Sequence, residues 1–114
     1  MPTPAKTLDA LSKRTATKIV TSTSTHAISL YYHDTEVAYY RPGVCLSLST
    51  GGWMTATTKS RINDFCRVLE LNVSVTQKDH GWSIHLARDT VTPWINAEYT
   101  LVNIDLVTLS VALM

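Results

Sequence analysis

The chain has 114 residues, a length that corresponds to one domain with a hydrophobic core of its own. Hydrophobic residues make up 45% of the chain and charged residues 17%, a balance that excludes a largely disordered protein. The formal net charge of +1 excludes an acidic mimic of DNA, and it excludes binding to nucleic acid by bulk charge alone.

No part of the sequence predicts secretion or membrane insertion. The N-terminal segment lacks the apolar run of a signal peptide, and no apolar stretch is long enough to span a bilayer. The two cysteines, Cys45 and Cys66, form no Cys-x-x-Cys pair, so we expect two reduced thiols. A cytoplasmic location without membrane contact is the resulting expectation.

Residues 1–25 differ from the rest of the chain. Their basic side chains are opposed by a single acidic one, Asp9, and Thr and Ser are dense from residue 15 to residue 25. Leu8 and Leu11 favour one or two helical turns after Pro4, and such a short helix is marginal by itself. We interpret residues 1–25 as a mobile basic arm, or as such an arm with a docked helical turn, and residues 26–114 as a single α+β domain.

Three strands are predicted between residues 26 and 49, because apolar and polar residues alternate there with a period of two. A turn at residues 33–35 separates the first two strands. Pro42 and Gly43 fit a type II turn before the third strand, since proline presets the first central residue and glycine supplies a positive φ. Together the three strands form a predicted meander.

A helix is predicted from near Thr57, because its apolar residues recur at i, i+3, i+4 and i+7 and form one buried stripe. Thr55 or Thr57 can cap its start, and Asn72 can close its end in the left-handed conformation. The stripe consists of Ile62, Phe65, Cys66 and Leu69.

Two further strand regions follow the helix. Residues 73–86 predict a β-hairpin with its turn at residues 79–81, and alternation over residues 107–113 predicts a final strand. The predicted fold class is therefore α+β, with an antiparallel sheet made of a three-strand meander, then one helix, then a β-hairpin and a C-terminal strand. The helix packs on one face of that sheet.

The loop–helix segment, residues 49–63, is the first candidate binding site. Paired glycines let the backbone approach a ligand, and the first amides of a helix favour an anion. The segment is not a P-loop, because Lys59 does not directly follow the second glycine. The alternative is a turn, a threonine cap and a solvated helix face. The candidate binding residues are Gly51, Gly52, Trp53, Thr57, Thr58, Lys59, Arg61 and Arg67.

The stretch Ser-Thr-Gly-Gly-Trp-Met-Thr-Ala-Thr-Thr-Lys-Ser-Arg-Ile-Asn resembles a motif of small tailed-bacteriophage proteins of unknown function. Those proteins commonly read Ser-Gly-Gly-Trp-Arg-Thr-Val-Thr-Thr-Lys-x-Arg-Ile/Met-Asn, and a downstream hairpin in them is similar to Gln77 and Trp82. The resemblance covers roughly residues 25–86 and implies a phage-type origin, and hence the cytoplasm of the host cell. It implies no biochemical activity. Met54 stands where the relatives tend to have arginine, so an anion site would lack one donor here.

Tyrosines form a second candidate surface. They occur as two adjacent pairs on neighbouring predicted strands, so one ring of each pair faces outward. We take Tyr31 and Tyr40 as the outward rings. Such a face can stack unpaired bases, it can form a protein interface, or it can hold ordinary cross-strand aromatic packing.

No catalytic constellation is present in the sequence. The four histidines lack metal-ligand spacing, and no serine stands in a Gly-x-Ser-x-Gly context. We therefore expect no enzyme activity, no metal and no cofactor.

The leading hypothesis is a phage-like, non-enzymatic binding protein of the inhibitor or adaptor type. It would engage a protein partner, either a host factor or its own copy, and the C-terminal strand offers an edge for a homodimer. The alternative is a nucleic-acid-binding protein that uses the basic arm together with Lys59, Arg61 and Arg67.

Overall fold

The structure is a computed structural model that describes residues 6–79, 81–86, 90–97 and 99–114. Within these residues it contains two helices and antiparallel β-strands, so the predicted α+β class is confirmed. In chain order the elements are α1 (Leu8–Ser12), β1 (Thr17–Thr21), β2 (Ile28–Tyr32), β3 (Thr35–Arg41), β4 (Cys45–Leu48), α2 (Ala56–Val68), β5 (Val73–Lys78), β6 (Gly81–Leu86), β7 (Thr90–Pro93), β8 (Val102–Asp105) and β9 (Ser110–Leu113).

The strands form two antiparallel sheets. The larger sheet has the order β1-β2-β3-β4-β8-β9, and the smaller sheet has the order β5-β6-β7. The predicted meander lies at the centre of the larger sheet. The predicted hairpin belongs to the smaller sheet, where Lys78 pairs with Gly81 across the turn. His80, which was placed in this turn, lies outside the described residues.

One face of the larger sheet forms a wall of the core. Leu30, Ala38, Leu48 and Val102 are paired directly across four strands, and all four side chains are buried. Helix α2 packs against β2, β3 and β5, and so connects this face with the smaller sheet. The predicted apolar stripe of α2 is confirmed, since three of its residues are fully buried in the same core cluster. They are Ile62, Phe65 and Cys66.

Both cysteines are free thiols, as predicted, but their environments differ. Burial of Cys66 raises the pKa of its thiol from 9.0 to about 12. At pH 8 the Cys66 thiol is therefore almost entirely protonated. Cys45 is half-buried on the opposite face of the larger sheet.

Iodoacetamide at pH 8 is expected to label Cys45 of the native protein at least about tenfold faster than Cys66, because the thiolate is the nucleophile. Peptide mass spectrometry after timed quenching measures both rates, and unfolding in urea should equalise them. Equal native rates would contradict the prediction.

The stability that the neutral Cys66 thiol contributes is present below pH 9.0 and is lost as the pH rises towards about 12.

The N-terminal segment differs from the expected mobile arm. Thr7 caps α1, Leu11 is fully buried, and β1 pairs with β2 along its whole length. Ile19 packs against the core from β1. The described residues 6–25 thus belong to the folded structure. The composition suggested a mobile arm because β1 is an edge strand in which, apart from Ile19, most residues are exposed and polar.

The predicted strand over residues 107–113 is wrong in its first half. Residues 106–109 form the connection between β8 and β9, and only residues 110–113 are strand. The Asp105 side chain accepts hydrogen bonds from the amides of Val107 (2.8 Å) and Thr108 (3.2 Å), which ends the ladder. Leu109 then adopts a left-handed conformation with φ +58°. The apolar alternation was therefore a coincidence across a turn.

Helix α2 begins as predicted and ends differently. The Thr55 side chain caps it by accepting a hydrogen bond from the Thr58 amide (3.2 Å). Glu70, with φ +58°, takes the left-handed position that was predicted for Asn72. Neither helix in the described ranges is long and apolar enough to cross a membrane.

Candidate functional site

The backbone amides of the loop before α2, residues 51–55, are already used inside the protein. Each of the five amides from residue 51 to residue 55 donates a hydrogen bond to a neighbouring oxygen, and Thr55 occupies the Thr58 amide. An anion nest requires several amides that point together at a free site. The loop before α2 is therefore a closed turn. The acceptors for the five amides are Ser49 Oγ, Thr50 Oγ1, Thr50 O, Gly52 O and Trp53 O.

Gly51 is required by close packing. Its φ is +60°, and a Cβ built on it would lie 2.3 Å from Thr35 Cγ2. Thr35 begins β3 directly after the His33-Asp34 turn, so the loop presses against the hairpin between β2 and β3. Gly52 also has a positive φ (+87°), but a Cβ there would meet open space. Gly51 thus allows both the backbone turn and the close approach to Thr35, whereas Gly52 is needed for the backbone turn alone.

Trp53 contacts the same hairpin. Its ring stacks on His33 with 4.8 Å between centroids and meets the edge of Tyr32 at 6.3 Å. It is 42% exposed. Trp53, Tyr32 and His33 form a surface cluster that fastens the turn between β2 and β3 to the start of α2.

The two arginines of α2 are bound to neighbouring residues. Arg61 donates from Nε to Thr17 Oγ1 (2.8 Å), and its guanidinium lies 5.9 Å from the centre of the Tyr32 ring. It therefore joins α2 to β1. Arg67 forms an ion pair with Asp64 one turn earlier on the helix. Lys59 is half-buried in the first turn of the helix, before both arginines.

The threonines of the segment also differ in role. Thr58 is fully buried, and its hydroxyl lies 3.3 Å from that of the cap Thr55, whereas Thr57 is exposed. The nucleic-acid hypothesis stays a prediction. The contacts of Arg61 and of the loop amides favour instead the alternative of a turn, a threonine cap and a structural helix start.

Asn63, the last residue of the motif, completes the smaller sheet. Its side-chain Nδ2 donates to Val75 O (2.9 Å), and its Oδ1 accepts from Val75 N (2.7 Å). The amide thus takes the place of a neighbouring strand at the outer edge of β5. The glycine, the tryptophan and the asparagine of the motif thus contribute to the packing of the fold.

The tyrosine surface differs from the expected one. Tyr40 pairs with Ile28 and Leu46 on the core-facing side of the sheet, so its assignment as an outward ring is wrong. A bulge between β2 and β3 shifts the register after Leu30, where Val37 and Ala38 are both buried. Tyr39 takes the outward position, and Tyr31 shares that face, where Lys18 Nζ lies 4.9 Å from its ring.

A second region, which the sequence analysis missed, lies in the C-terminal part of the chain. Trp82 and Trp94 meet edge to face with 5.8 Å between ring centroids, and both line a cavity of about 410 Å³. Beside this cavity Ile95 is 62% exposed and Tyr99 85% exposed. The Pro-Trp-Ile run after the predicted hairpin was the available signal. It went unused because β7 was not predicted.

The edge of the larger sheet at β9 lies in the same part of the chain. β9 pairs only with β8, so its other side is an open strand edge within the described structure. Several exposed apolar side chains belong to this hairpin and its flanks. They are Leu101, Val107, Leu109, Leu113 and Met114.

The described residues contain no group of three His, Cys, Asp or Glu side chains placed to hold a metal ion. His85 Nε2 lies 2.7 Å from Thr76 Oγ1 on the neighbouring strand, and His33 lies under Trp53. These two histidines are therefore part of structural contacts.

Comparison with known proteins gives one match. No curated protein and no solved structure matches the chain. The family described as Kyanoviridae Gp96 protein matches residues 6–102, which begin before α1 and end in β8. The match includes the segment interpreted as an arm, in agreement with its folded structure. It supports the origin in tailed bacteriophages that the motif implied, and the chain belongs to the Kyanoviridae Gp96 protein family.

Proposed function

We propose that this phage protein is a non-enzymatic binding protein whose partner is a second copy of itself, joined at the edge of β9. The observation that carries the proposal is the contrast between β9 and the other sheet edges. An open edge strand presents unpaired N–H and C=O groups, and monomeric proteins protect such edges by charge, proline or cover. β9 has the sequence Ser-Val-Ala-Leu and carries none of these protections.

The other edges are protected. β1 carries the exposed, charged Lys18 as its second residue. The outer edge of β5 is covered by α2, where Asn63 occupies the backbone groups of Val75. β7 ends in Pro93, which has no backbone N–H to offer. Among the described strands, β9 is therefore the edge strand whose outer side is unprotected against pairing with another chain.

Apolar side chains extend the β9 edge at both ends. Leu101 and Met114 exchange two backbone hydrogen bonds (3.1 and 2.8 Å) beyond the end of β9, and Met114 is 70% exposed. Val107 and Leu109 lie at the other end, in the turn of the hairpin. A stable dimer needs about 800 Å² of buried surface per partner, more than a four-residue strand alone provides. These flanking side chains supply the additional apolar surface.

Two copies can pair at this edge by a two-fold axis. Antiparallel β9–β9 pairing is isologous, since each strand contacts the same strand of its partner, and it makes one continuous sheet across both copies. A net charge of +1 per chain adds little repulsion. Core-facing Val111 and Leu113 would then lie beside their counterparts.

Sedimentation velocity over a concentration series tests the proposal. The wild-type protein is expected to form a dimer at micromolar concentration, and Ala112→Lys is expected to weaken the dimer at least about tenfold. Ala112 is exposed on β9, so lysine there charges the edge without entering the core. Val20→Lys makes the corresponding change on the outward face of the other edge strand of this sheet, β1, and serves as the matched control.

A wild-type protein that stays monomeric at the highest soluble concentration would disprove the proposal. Equal weakening by both lysine variants would show that another surface joins the copies. Circular dichroism of each variant confirms that the fold is retained.

A further inference from the structure

The backbone of β9 shows which of its residues can bind a partner strand. Leu101 and Met114 exchange two backbone hydrogen bonds (3.1 and 2.8 Å), so their N–H and C=O groups point at each other. In an antiparallel ladder, residues that exchange such bonds alternate with residues whose backbone groups point away. Ala112 therefore directs its backbone groups to β8, whereas those of Val111 and Leu113 point to the open edge. These two residues carry the groups that a partner strand can bind.

The side chains of β9 alternate between the two faces of the larger sheet. Val111 and Leu113 pair with buried residues of β8, so their side chains point to the core side. Ala112 lies between them and points to the outer face, where it is exposed. A two-fold axis perpendicular to the sheet keeps each face of the second copy on the same side. Core-facing residues must then stand opposite core-facing residues, so the axis passes through a residue of β9 and not between two residues.

The possible positions of this axis differ in the hydrogen bonds that they allow. An axis at Ala112 sets Val111 opposite Leu113 of the partner copy, and the same pair recurs on the other side of the axis. Each of these pairs exchanges both hydrogen bonds, because the groups of both residues face the edge. An axis at Val111 or at Leu113 gives one such pair, since every further pair would reach outside β9. Hydrogen bonding therefore favours the axis at Ala112.

The side chains also suit an axis at Ala112. On the core side Val111 is half-buried and Leu113 is 36% exposed, so pairing sets the apolar surface of each beside that of the other copy. On the outer face Ala112 stands opposite its own counterpart in a pair without hydrogen bonds, where the two Cα atoms are only about 4.5 Å apart. Alanine keeps this closest point of the interface free of charge and of bulk.

We propose that the dimer is built in this register, with Ala112 on the two-fold axis opposite Ala112 of the partner copy. The register rests on the proposed β9 dimer, and it identifies Ala112 as the residue that makes the edge specific for a second copy. Each strand supplies Val111 to one pair and Leu113 to the other, so an identical strand is matched at every position. A foreign strand with a charge at the axial position would lack this match.

Ala112→Cys tests the register by disulfide formation in the full-length protein. A disulfide requires Cα atoms about 4.4–6.8 Å apart, which the pair on the axis satisfies. Mild oxidation at a concentration where sedimentation shows the dimer is expected to give a covalent dimer on non-reducing electrophoresis. The wild type, which keeps Cys45 and Cys66, reports any cross-linking by the native thiols.

Ser110→Cys is the matched control for this cross-linking. Ser110 is also exposed on the outer face of β9, but the proposed register sets it opposite Met114, about 13 Å along the strand from its own counterpart. Ala112→Cys should therefore cross-link at least about tenfold faster than Ser110→Cys.

The outcomes separate the register from the dimer itself. A wild-type dimer with equally fast cross-linking of Ala112→Cys and Ser110→Cys would overturn the register and leave self-association standing. A wild type that stays monomeric would overturn both. Cross-linking of a mixture of the two cysteine variants, without cross-linking of either one alone, would place the axis at Val111 and so overturn the register as well.

Opposite charges give a second readout that needs no covalent bond. In the proposed register the lysine of Ala112→Lys faces a second lysine, and like charges directly opposite each other are destabilising. An equimolar mixture of Ala112→Lys and Ala112→Glu is expected to associate several-fold more tightly than either variant alone. Sedimentation velocity at low salt measures the three affinities. A mixture that associates no more tightly than the separate variants would contradict the position of Ala112 on the axis.

Discussion

Gly51→Ala is expected to lower the free energy of unfolding by about 2–4 kcal/mol. Alanine disfavours the positive φ of +60°, and its Cβ would lie 2.3 Å from Thr35 Cγ2. Thr35 is β-branched and begins β3, so its side chain has little freedom to move away. Urea unfolding followed by circular dichroism gives the difference directly.

Gly52→Ala is the matched control for this experiment. Its φ of +87° is equally unusual for alanine, but the new Cβ meets open space, so the loss should be about 1–2 kcal/mol. Thr35→Ser removes the colliding Cγ2 and should recover about 1 kcal/mol in the Gly51→Ala background. Equal losses for the two glycines, with no recovery, would show that close packing against the hairpin is unimportant.

Asn63→Ala is expected to destabilise the protein by about 2–4 kcal/mol, because it leaves two backbone groups of Val75 without partners. Val75 is almost fully buried in β5, so water cannot replace the lost amide easily. Hydrogen exchange offers a local readout. The Val75 amide should lose protection to a greater extent than the global loss of stability explains.

Asn63→Asp isolates the two hydrogen bonds from one another. The carboxylate still accepts from the Val75 amide but cannot donate to the Val75 carbonyl, so Asp should be as harmful as Ala or more harmful. Asn72→Ala, an exposed change just before β5, should cost less than about 0.5 kcal/mol. A stability loss for Asn63→Ala as small as that of Asn72→Ala would contradict the structural role.

The contacts of three motif residues change the interpretation of the phage-like motif. Gly51 lets the loop touch Thr35, Trp53 stacks on His33, and Asn63 completes β5. Each joins elements that are distant in the chain, so the motif fixes how α2 is placed between the two sheets. We expect function to depend on another surface, the open edge of β9.

Local pattern was sufficient for much of the fold. Alternation in residues 26–49, the apolar stripe of α2 and the hairpin of residues 73–86 each predicted an element that the structure contains. The signal was strong because one face of every such element lies in the core, so hydrophobicity repeats with the geometric period. The turns at His33-Asp34 and Pro42-Gly43 were equally local, since residue type limits φ.

The tertiary structure decided what no local pattern contains. β1 pairs with β2 along its whole length, although it lies in a stretch rich in Thr and Ser and three of its five residues are exposed. The bulge after Leu30 exchanged Tyr40 for Tyr39 on the outer face, since a shift of one residue reverses every later side chain. The cavity beside Trp82 needs three separate parts of the chain, and the open edge of β9 exists only because β8 pairs between β4 and β9. The local sequence thus determined the strands of residues 26–49, the helix α2 and the hairpin of residues 73–86. The contacts between distant elements determined the edge strands and which surfaces are left to bind.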